Sequence, residues 1–496
     1  MSCISHDRAL APIVNQICSL KIHSTSPALS SYNKTDDKGG LNMKKIILLA
    51  SVIIVGIFLY GLTTQNDQID ASPELITVPP LVTDEEEVTI WMVTDIHYLS
   101  PLYFDDGEAF GKMQATSAGK DLANMPAIME ALVWQVAKEQ PDLLIVSGDL
   151  TFNGEYQSMV ELTDYFKQIE AIGTQVAVMP GNHDIHSGWA RKFEGDQMTV
   201  VDQVTPADFQ DLFADYGYDL AVFKDPNSLS YIFEPKAGYP ILMVDTNAYP
   251  EEKSSKAPVA EGKIRPQTYE WLDRYFQMVE GEKEEIYLVG HHPLLNHSGN
   301  EGSRLVMEEA DQAIDYFMNH HIKTAFAGHI HAQNISQLLT ANQPFYEIVT
   351  GALSIFPNAI GQIRLSNEEL AYDRLTLDVE GWANETAQIQ DELLNYSETS
   401  YQIFKEDGEL LALQQMFEEQ WYDESYAEAV MDYVGQMNVR YFSGEDYVED
   451  DAEIAAYIQH DGYRVIQENS NNFLKRYSQQ LLKDTNLNDL SIVIPH

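Results

Sequence analysis

From residue 88 to about residue 378, short apolar runs alternate with stretches whose apolar residues recur every three or four positions. The runs at 88–94, 143–147, 176–179, 241–244, 286–289 and 324–327 are predicted strands. They are too short for helices and carry no polar alternation, as expected of strands buried on both faces. Between them lie amphipathic helices. One carries Met159, Leu162, Phe166 and Ile169 and stops at Gly173. Another starts at Pro266, carries Tyr269, Leu272, Phe276 and Val279, and stops at Gly281. Proline in the first turn and glycine after the last are the usual punctuation of a helix. Ile363, Leu365, Leu370 and Tyr372 flank Asn367-Glu368-Glu369 and predict a closing hairpin. Residues 88–379 therefore read as a layered α/β domain around a buried sheet.

The pattern changes at both ends. No proline occurs between Pro357 and Pro495, and helical spacing recurs at Leu410, Leu413 and Phe417, at Tyr426, Val430, Tyr433 and Met437, and at Phe473, Tyr477 and Leu481. Residues 380–496 are predicted to form a second, smaller, all-helical domain. At the other end, a charge-free apolar run at 46–62 follows Lys44 and Lys45. Its length falls in the range of roughly 17–25 residues that spans a bilayer, so residues 43–63 read as an uncleaved signal anchor, with a cleaved leader or a buried helix as the alternatives. The lysines place the preceding end in the cytoplasm and everything after residue 63 outside. Residues 1–42 are polar and aperiodic, a cytoplasmic or non-native leader, because Met43-Lys44-Lys45 reads like a natural start. Residues 64–87, rich in Asn, Gln, Asp, Pro and Glu, read as a tether.

Composition narrows the function. The chain has 496 residues, more than one hydrophobic core organises, and 44% of them are hydrophobic, which excludes disorder over most of the length. Asp and Glu number 77 against 30 Lys and Arg, for a net charge of −47. That excess repels phosphate backbones and argues against a general nucleic-acid surface. An anionic substrate would need local positive charge, and bound metal ions are the natural source. The two cysteines are Cys3 and Cys18, so no disulfide, zinc knuckle or catalytic thiol can lie further along.

Five motifs stand at the ends of predicted strands: Asp95-Ile96-His97, Gly148-Asp149, Gly181-Asn182-His183-Asp184, His291-His292-Pro293 and Gly328-His329-Ile330-His331. Each alone is weak, since Asp-x-His and Gly-Asp occur by chance and a lone loop histidine is usually a surface residue. Together, at the sheet edge where ligand loops converge, they point to a metal site. Carboxylate, imidazole and amide donors suit Mn, Fe, Zn or Co, and seven ligands with one potential bridge fit two divalent ions.

The motifs resemble the signature of the calcineurin-like metallophosphoesterase superfamily, over about residues 88–378. Within it the chain is similar to bacterial membrane-tethered cyclic-nucleotide phosphodiesterases with a helical C-terminal domain. That likeness rests on Gly148-Asp149-Leu150-Thr151-Phe152-Asn153-Gly154-Glu155, on the stretch 181–193 and on Thr350-Gly351-Ala352-Leu353-Ser354-Ile355-Phe356-Pro357. The resemblance implies an αββα sandwich, with Asp95, His97 and His331 on one metal and Asn182, His291 and His329 on the other. Asp149 would bridge, and His291 is preferred to His292 because it directly follows the strand and glycine. His183 would face the phosphate, with Asp184 orienting its imidazole. The implied reaction is attack by a metal-bridged hydroxide on a small phosphodiester, a 3′,5′-cyclic nucleotide being favoured. A broader envelope phosphoesterase acting on nucleotides, glycerophosphodiesters or wall polymers is the alternative. Purple acid phosphatases carry tyrosine where Phe152 stands, so a phenolate–iron site is not expected. A non-catalytic relative is disfavoured, because no ligand residue is missing. His186, His297, His320, His321 and Asp245 are read as structural or surface residues.

Overall fold

The computed structural model describes residues 75–76, 78–82, 87–281, 285–297, 305–340, 343–448, 451–484 and 486–496. The leader, the apolar run and much of the tether lie outside the described residues, among which no helix is long and apolar enough to cross a membrane. The chain first forms β1 (Val88–Val93), α1 (Glu108–Gln114), α2 (Met125–Glu139), β2 (Leu143–Ser147), α3 (Tyr156–Ile172) and β3 (Gln175–Met179). A small hairpin of β4 (Arg191–Glu194) and β5 (Gln197–Val200), then α4 (Pro206–Leu212), lead to β6 (Phe223–Lys224), β7 (Tyr231–Lys236) and β8 (Tyr239–Met243). Next come α5 (Pro266–Met278), β9 (Tyr287–Val289), α6 (Ala310–Asn319), β10 (Thr324–Ala327), β11 (Asn334–Leu339), β12 (Pro344–Val349), β13 (Ala359–Leu365) and β14 (Glu369–Thr376). Helices follow: α7 (Val379–Glu385), α8 (Asp391–Leu394), α9 (Tyr396–Glu418), α10 (Glu424–Phe442), α11 (Asp451–Gln459), α12 (Asp461–Asn469) and α13 (Phe473–Gln480). The last element is β15 (Ser491–Pro495).

Two sheets form, in the orders β15-β14-β13-β1-β2-β3 and β11-β12-β10-β9-β8-β7-β6. The strands that end in motifs are the parallel ones, β1–β2–β3 in the first sheet and β9–β10 in the second. Their side chains show why the runs are continuously apolar. In β8, Ile241 and Met243 enter the core between the sheets. Leu242 enters an outer core with Trp271 and Leu272 of α5 and Ile314 and Phe317 of α6. Successive residues of a strand point to opposite faces, so a strand covered on both sides needs apolar residues at every position. On the far side of the first sheet, Ile128 and Leu132 of α2 and Leu162 and Phe166 of α3 close the fourth layer. The expected αββα sandwich results. Gly173, at φ 115°, caps α3 as read from the sequence, whereas α5 ends at Met278, before Gly281.

The helical region has its own core, with Leu413 and Met416 of α9, Val430, Tyr433 and Met437 of α10, and Ile466 and Leu474 beyond them. Two features differ from an independent all-helical unit. Val379, Trp382 and Ala383 of α7 belong to the sandwich core. The chain also returns after α13, and β15 pairs antiparallel with β14 at the edge of the first sheet. A five-residue strand after a helical tail carries too little periodicity to announce itself. The return is pinned by Asp489, whose Oδ1 accepts the Ile335 amide at 2.6 Å.

Beside Asp489, the Asp446 carboxyl is pushed up to about 7 by burial and by Asp484, with Arg440 opposing. Asp489 is pushed up to about 9 by burial, with Asp484 and Asp446 adding to it against the Ile335 amide. Both folded values lie above the ordinary 3.8, so the stability these groups permit is fully present below that value and is lost as pH rises through about 7 and about 9. We expect Asp489→Asn to flatten this loss with rising pH, between about 4 and about 9, in denaturant titrations at a series of pH values. Parallel pH profiles for variant and parent would show that the buried carboxyl does not act on stability.

Candidate metal centre

Asp95 and His97 follow β1, Asp149 follows β2, Asn182 and His183 follow β3, His291 follows β9, and His329 and His331 follow β10. Drawing side chains from so many loops to one point bends the backbone. Asp95, His97, Asp149, His329 and His331 all adopt positive φ, between 48° and 69°. Non-glycine residues held there cost about 1–3 kcal/mol each, and such strain gathers at functional sites. Two glycines give the loops room. A Cβ on Gly148, itself at φ 100°, would run into the His291 ring. One on Gly181 would fall on the Asp149 backbone nitrogen and carboxylate.

Asp95, His97, Asp149 and His331 each offer a donor atom within 4.8 Å of the others. His97 Nε2 stands 3.1 Å from His331 Nε2 and 3.6 Å from Asp149 Oδ2. Asp95 Oδ1 lies 3.3 Å from His331 Nε2 and 3.8 Å from His97 Nε2. The other Asp95 oxygen is occupied, accepting the His329 amide at 2.9 Å and the Thr94 hydroxyl at 2.7 Å. Among the described residues, Oδ1 is buried with no hydrogen-bond donor. A buried carboxylate oxygen left without a donor is costly unless something positive meets it. The donor set fits a first-row divalent ion.

A second group lies across Asp149. His291 Nε2 is 3.2 Å from Asn182 Oδ1 and 3.4 Å from Asp149 Oδ1. Nδ1–H of His291 donates to the Ser147 carbonyl at 2.9 Å, which fixes the tautomer and leaves Nε2 for a ligand role. The His329 ring sits 5.2 Å from that of His291, and its Nε2 is buried without a hydrogen-bond partner among the described residues. His292 turns the other way, its Nδ1 2.8 Å from the Thr246 hydroxyl.

His183 keeps its side chain 24% exposed, with Nε2 4.0 Å from Asp149 Oδ2. The expectation that Asp184 orients this imidazole needs correction. Asp184 Oδ2 accepts the amides of Leu150 and Gly181, and Oδ1 accepts the amide and hydroxyl of Thr151. Asp184 thus staples the loop after β2 to the loop after β3. Adjacent residues in a tight turn point apart, so its carboxylate cannot reach the neighbouring ring. The Phe152 carbonyl and Asn153 Oδ1 orient His183 instead, 2.8 and 3.0 Å from Nδ1. Asn153 was not singled out from the sequence, because nothing in its local spacing marks a partner thirty positions on. Of the residues set aside, His186 contacts the Pro250 carbonyl, His297 is buried between Asn334 and Glu347, His320 stacks on Phe276, and Asp245 pairs with Arg265.

The charges are interlocked. Burial works to raise Asp149, yet the His291, His183 and His97 imidazoles hold its carboxyl well below the usual range. Burial opposes a charge on His291, but Asp149 and Asp95 carry it up to about 9. Burial, with His291 alongside, pushes His329 down to about 3. Burial keeps Asp184 up at about 7, as does the charge of Asp149, against its own amide donors.

Fold and site together define a metal-dependent phosphoesterase. Residues 88–333 match the family described as calcineurin-like phosphoesterase, and residues 378–488 match the C-terminal domain of cyclic nucleotide phosphodiesterase. The chain is therefore a hydrolase built from a calcineurin-like metallophosphoesterase domain followed by that C-terminal domain. Among solved structures it is similar to a dimetal phosphatase from Danio rerio, at 14% identity over 58% of this chain and 98% of that one, with a TM-score of 0.39. A protein described as a 5′-nucleotidase from Staphylococcus aureus shares 14% identity over 59% of this chain and 54% of that one, with a TM-score of 0.35. A Thermus thermophilus protein shares 11% over 59% and 100%, with a TM-score of 0.32. The comparison with curated proteins yields no match.

Removing Asp149 or His331 as alanine should abolish turnover and lower the metal content measured by plasma mass spectrometry. His183→Ala should keep the metal and slow turnover by roughly 10²–10⁴. Full rate in that variant would remove His183 from the reaction. Asn153→Ala should slow turnover in the same direction with the metal content unchanged.

Proposed function

We propose that this hydrolase is a dinuclear phosphodiesterase and that its substrate is a 3′,5′-cyclic nucleotide. The carboxylate of Asp149 carries the two-ion reading. Its Oδ2 faces His97 at 3.6 Å, while its Oδ1 faces His291 at 3.4 Å. In this reading Asp95, His97 and His331 hold one divalent ion, and Asn182, His291 and His329 hold the other. Divalent ions bound there would supply Lewis acidity toward the ester and make water a nucleophile near neutral pH. Asn182 offers an oxygen without adding negative charge, which keeps the centre attractive to an anionic ester. His183, its Nδ1–H donating to the Phe152 carbonyl, keeps Nε2 4.0 Å from Asp149 Oδ2 on a side chain 24% exposed. There it can hold a proton for the departing alkoxide.

The match of residues 378–488 to the C-terminal domain of cyclic nucleotide phosphodiesterase supports the substrate class. The apolar run at 46–62 supports a membrane-anchored enzyme with its catalytic domain outside, and that favours a second reading, a broader envelope phosphoesterase. Protein reconstituted with Mn, Fe, Zn or Co and assayed on cyclic AMP, bis(p-nitrophenyl) phosphate and p-nitrophenyl phosphate separates the two. We expect two ions per chain and turnover of both diesters. A strong preference for the monoester would overturn the diesterase reading, and activity on the chromogenic diester without cyclic AMP turnover would favour the envelope enzyme.

A further inference from the structure

Lys120 is only 7% exposed, an uncommon degree of burial for an ammonium. Its ammonium donates to the Ser117 carbonyl at 3.1 Å. It lies within electrostatic reach of Asp95, Asp149 and Asp407, and its charge is felt by His97 and His183. No carboxylate among the described residues forms a direct ion pair with it. Burying an ammonium without a contacting anion is costly, so a lysine kept in such a place calls for a reason.

The segment that delivers Lys120 is held on both sides. After α1 the chain turns through Ala118 and Gly119, at φ 57° and 73°. The Asp121 amide then donates to the Ser354 carbonyl at 2.9 Å, and the Ser354 hydroxyl donates to the Asp95 carbonyl at 2.7 Å. The turn is thereby tied to the first ligand loop. From the other side, α9 closes on it. A Cβ at Gly119 would strike the Phe404 ring, and the Tyr396 hydroxyl donates to Asp121 Oδ2 at 3.1 Å. The Asp407 carboxylate faces the Gly119 amide and the Lys120 charge.

We propose that Lys120 is a substrate-binding residue, that its ammonium receives a non-bridging oxygen of the phosphoester, and that α9 holds it in place. An ammonium with donors to spare beside a phosphate site is a compact point charge suited to this task. The helical region would then complete the binding site through Lys120. The proposal rests on the metal-assisted phosphoester reading given above.

The test uses the full-length, metal-reconstituted enzyme, with Lys120→Met, Lys120→Arg and Asp407→Asn variants. Metal content, kcat and KM for bis(p-nitrophenyl) phosphate, and the inhibition constant of inorganic phosphate are measured for each. We expect Lys120→Met to retain its metals while KM and the phosphate inhibition constant rise roughly tenfold or more, as for a lost hydrogen bond to a charged group. Lys120→Arg should recover part of both, and Asp407→Asn should raise both by a smaller factor. Unchanged constants in Lys120→Met would overturn the proposal, even if its melting temperature moved. Should Lys120→Met fail to fold, unchanged constants in both Lys120→Arg and Asp407→Asn would overturn it equally. An inactive parent enzyme with its metals bound would refute the phosphoesterase reading instead, so the two failures are distinguishable.

Discussion

Two carboxylates, Asp95 and Asp149, are buried at the meeting point of several loops, and no lysine or arginine among the described residues pairs with them directly. That buried negative charge is the constraint around which the rest of the domain is arranged. Such groups are tolerable only where imidazoles, amides and cations surround them. The amide of His183 donates to Asp149, and the amide of His329 donates to Asp95. Four imidazoles, those of His97, His183, His291 and His331, turn a nitrogen toward the pair, and divalent ions would complete the balance. The positive φ values of the ligand loops and the absent Cβ atoms of Gly148 and Gly181 are the local cost of bringing these groups together. The parallel strands, buried on both faces, supply the rigidity that sustains it.

The helical region belongs to this economy more closely than a separate domain would. Phe404 of α9 and Val439 of α10 pack on Ala352 and Ile355, in the loop that follows β12. The same loop contributes Ser354, which bonds the backbone of Asp95. One short path of packed and hydrogen-bonded groups therefore joins α9 to the first ligand loop. The closing strand, β15, fastens the other end of the helical region to the first sheet. With both ends fastened, the bundle can act as a fixed wall beside the centre.

Much of the centre is legible in the sequence because its chemistry is carried by residue types that recur at strand ends. Asp95-Ile96-His97 and Gly328-His329-Ile330-His331 place two potential ligands on each loop, so even a rough strand assignment brings them to one edge. The preference for His291 over His292 rests on its place directly after the strand and glycine, and the structure turns His291 toward Asp149 and Asn182 and His292 toward Thr246. Asp184 misleads for a complementary reason. Adjacency to His183 suggests a contact, but a turn sends neighbouring side chains apart, and Asp184 spends its oxygens on three amides and a hydroxyl.

By itself the sequence determined the layered α/β architecture, the helical tail and the residue types of a metal-dependent hydrolase. These depend on local periodicity and on chemistry that each residue carries wherever it is placed. Only the tertiary structure decided which oxygen of Asp149 faces which cluster, that Asn153 rather than Asp184 steadies His183, that Lys120 is buried within electrostatic reach of the carboxylates, and that the tail ends as a strand of the first sheet. Each of these is a relation between residues far apart in the chain. Orientation, burial and pairing at such separations are set by packing, which no local pattern records.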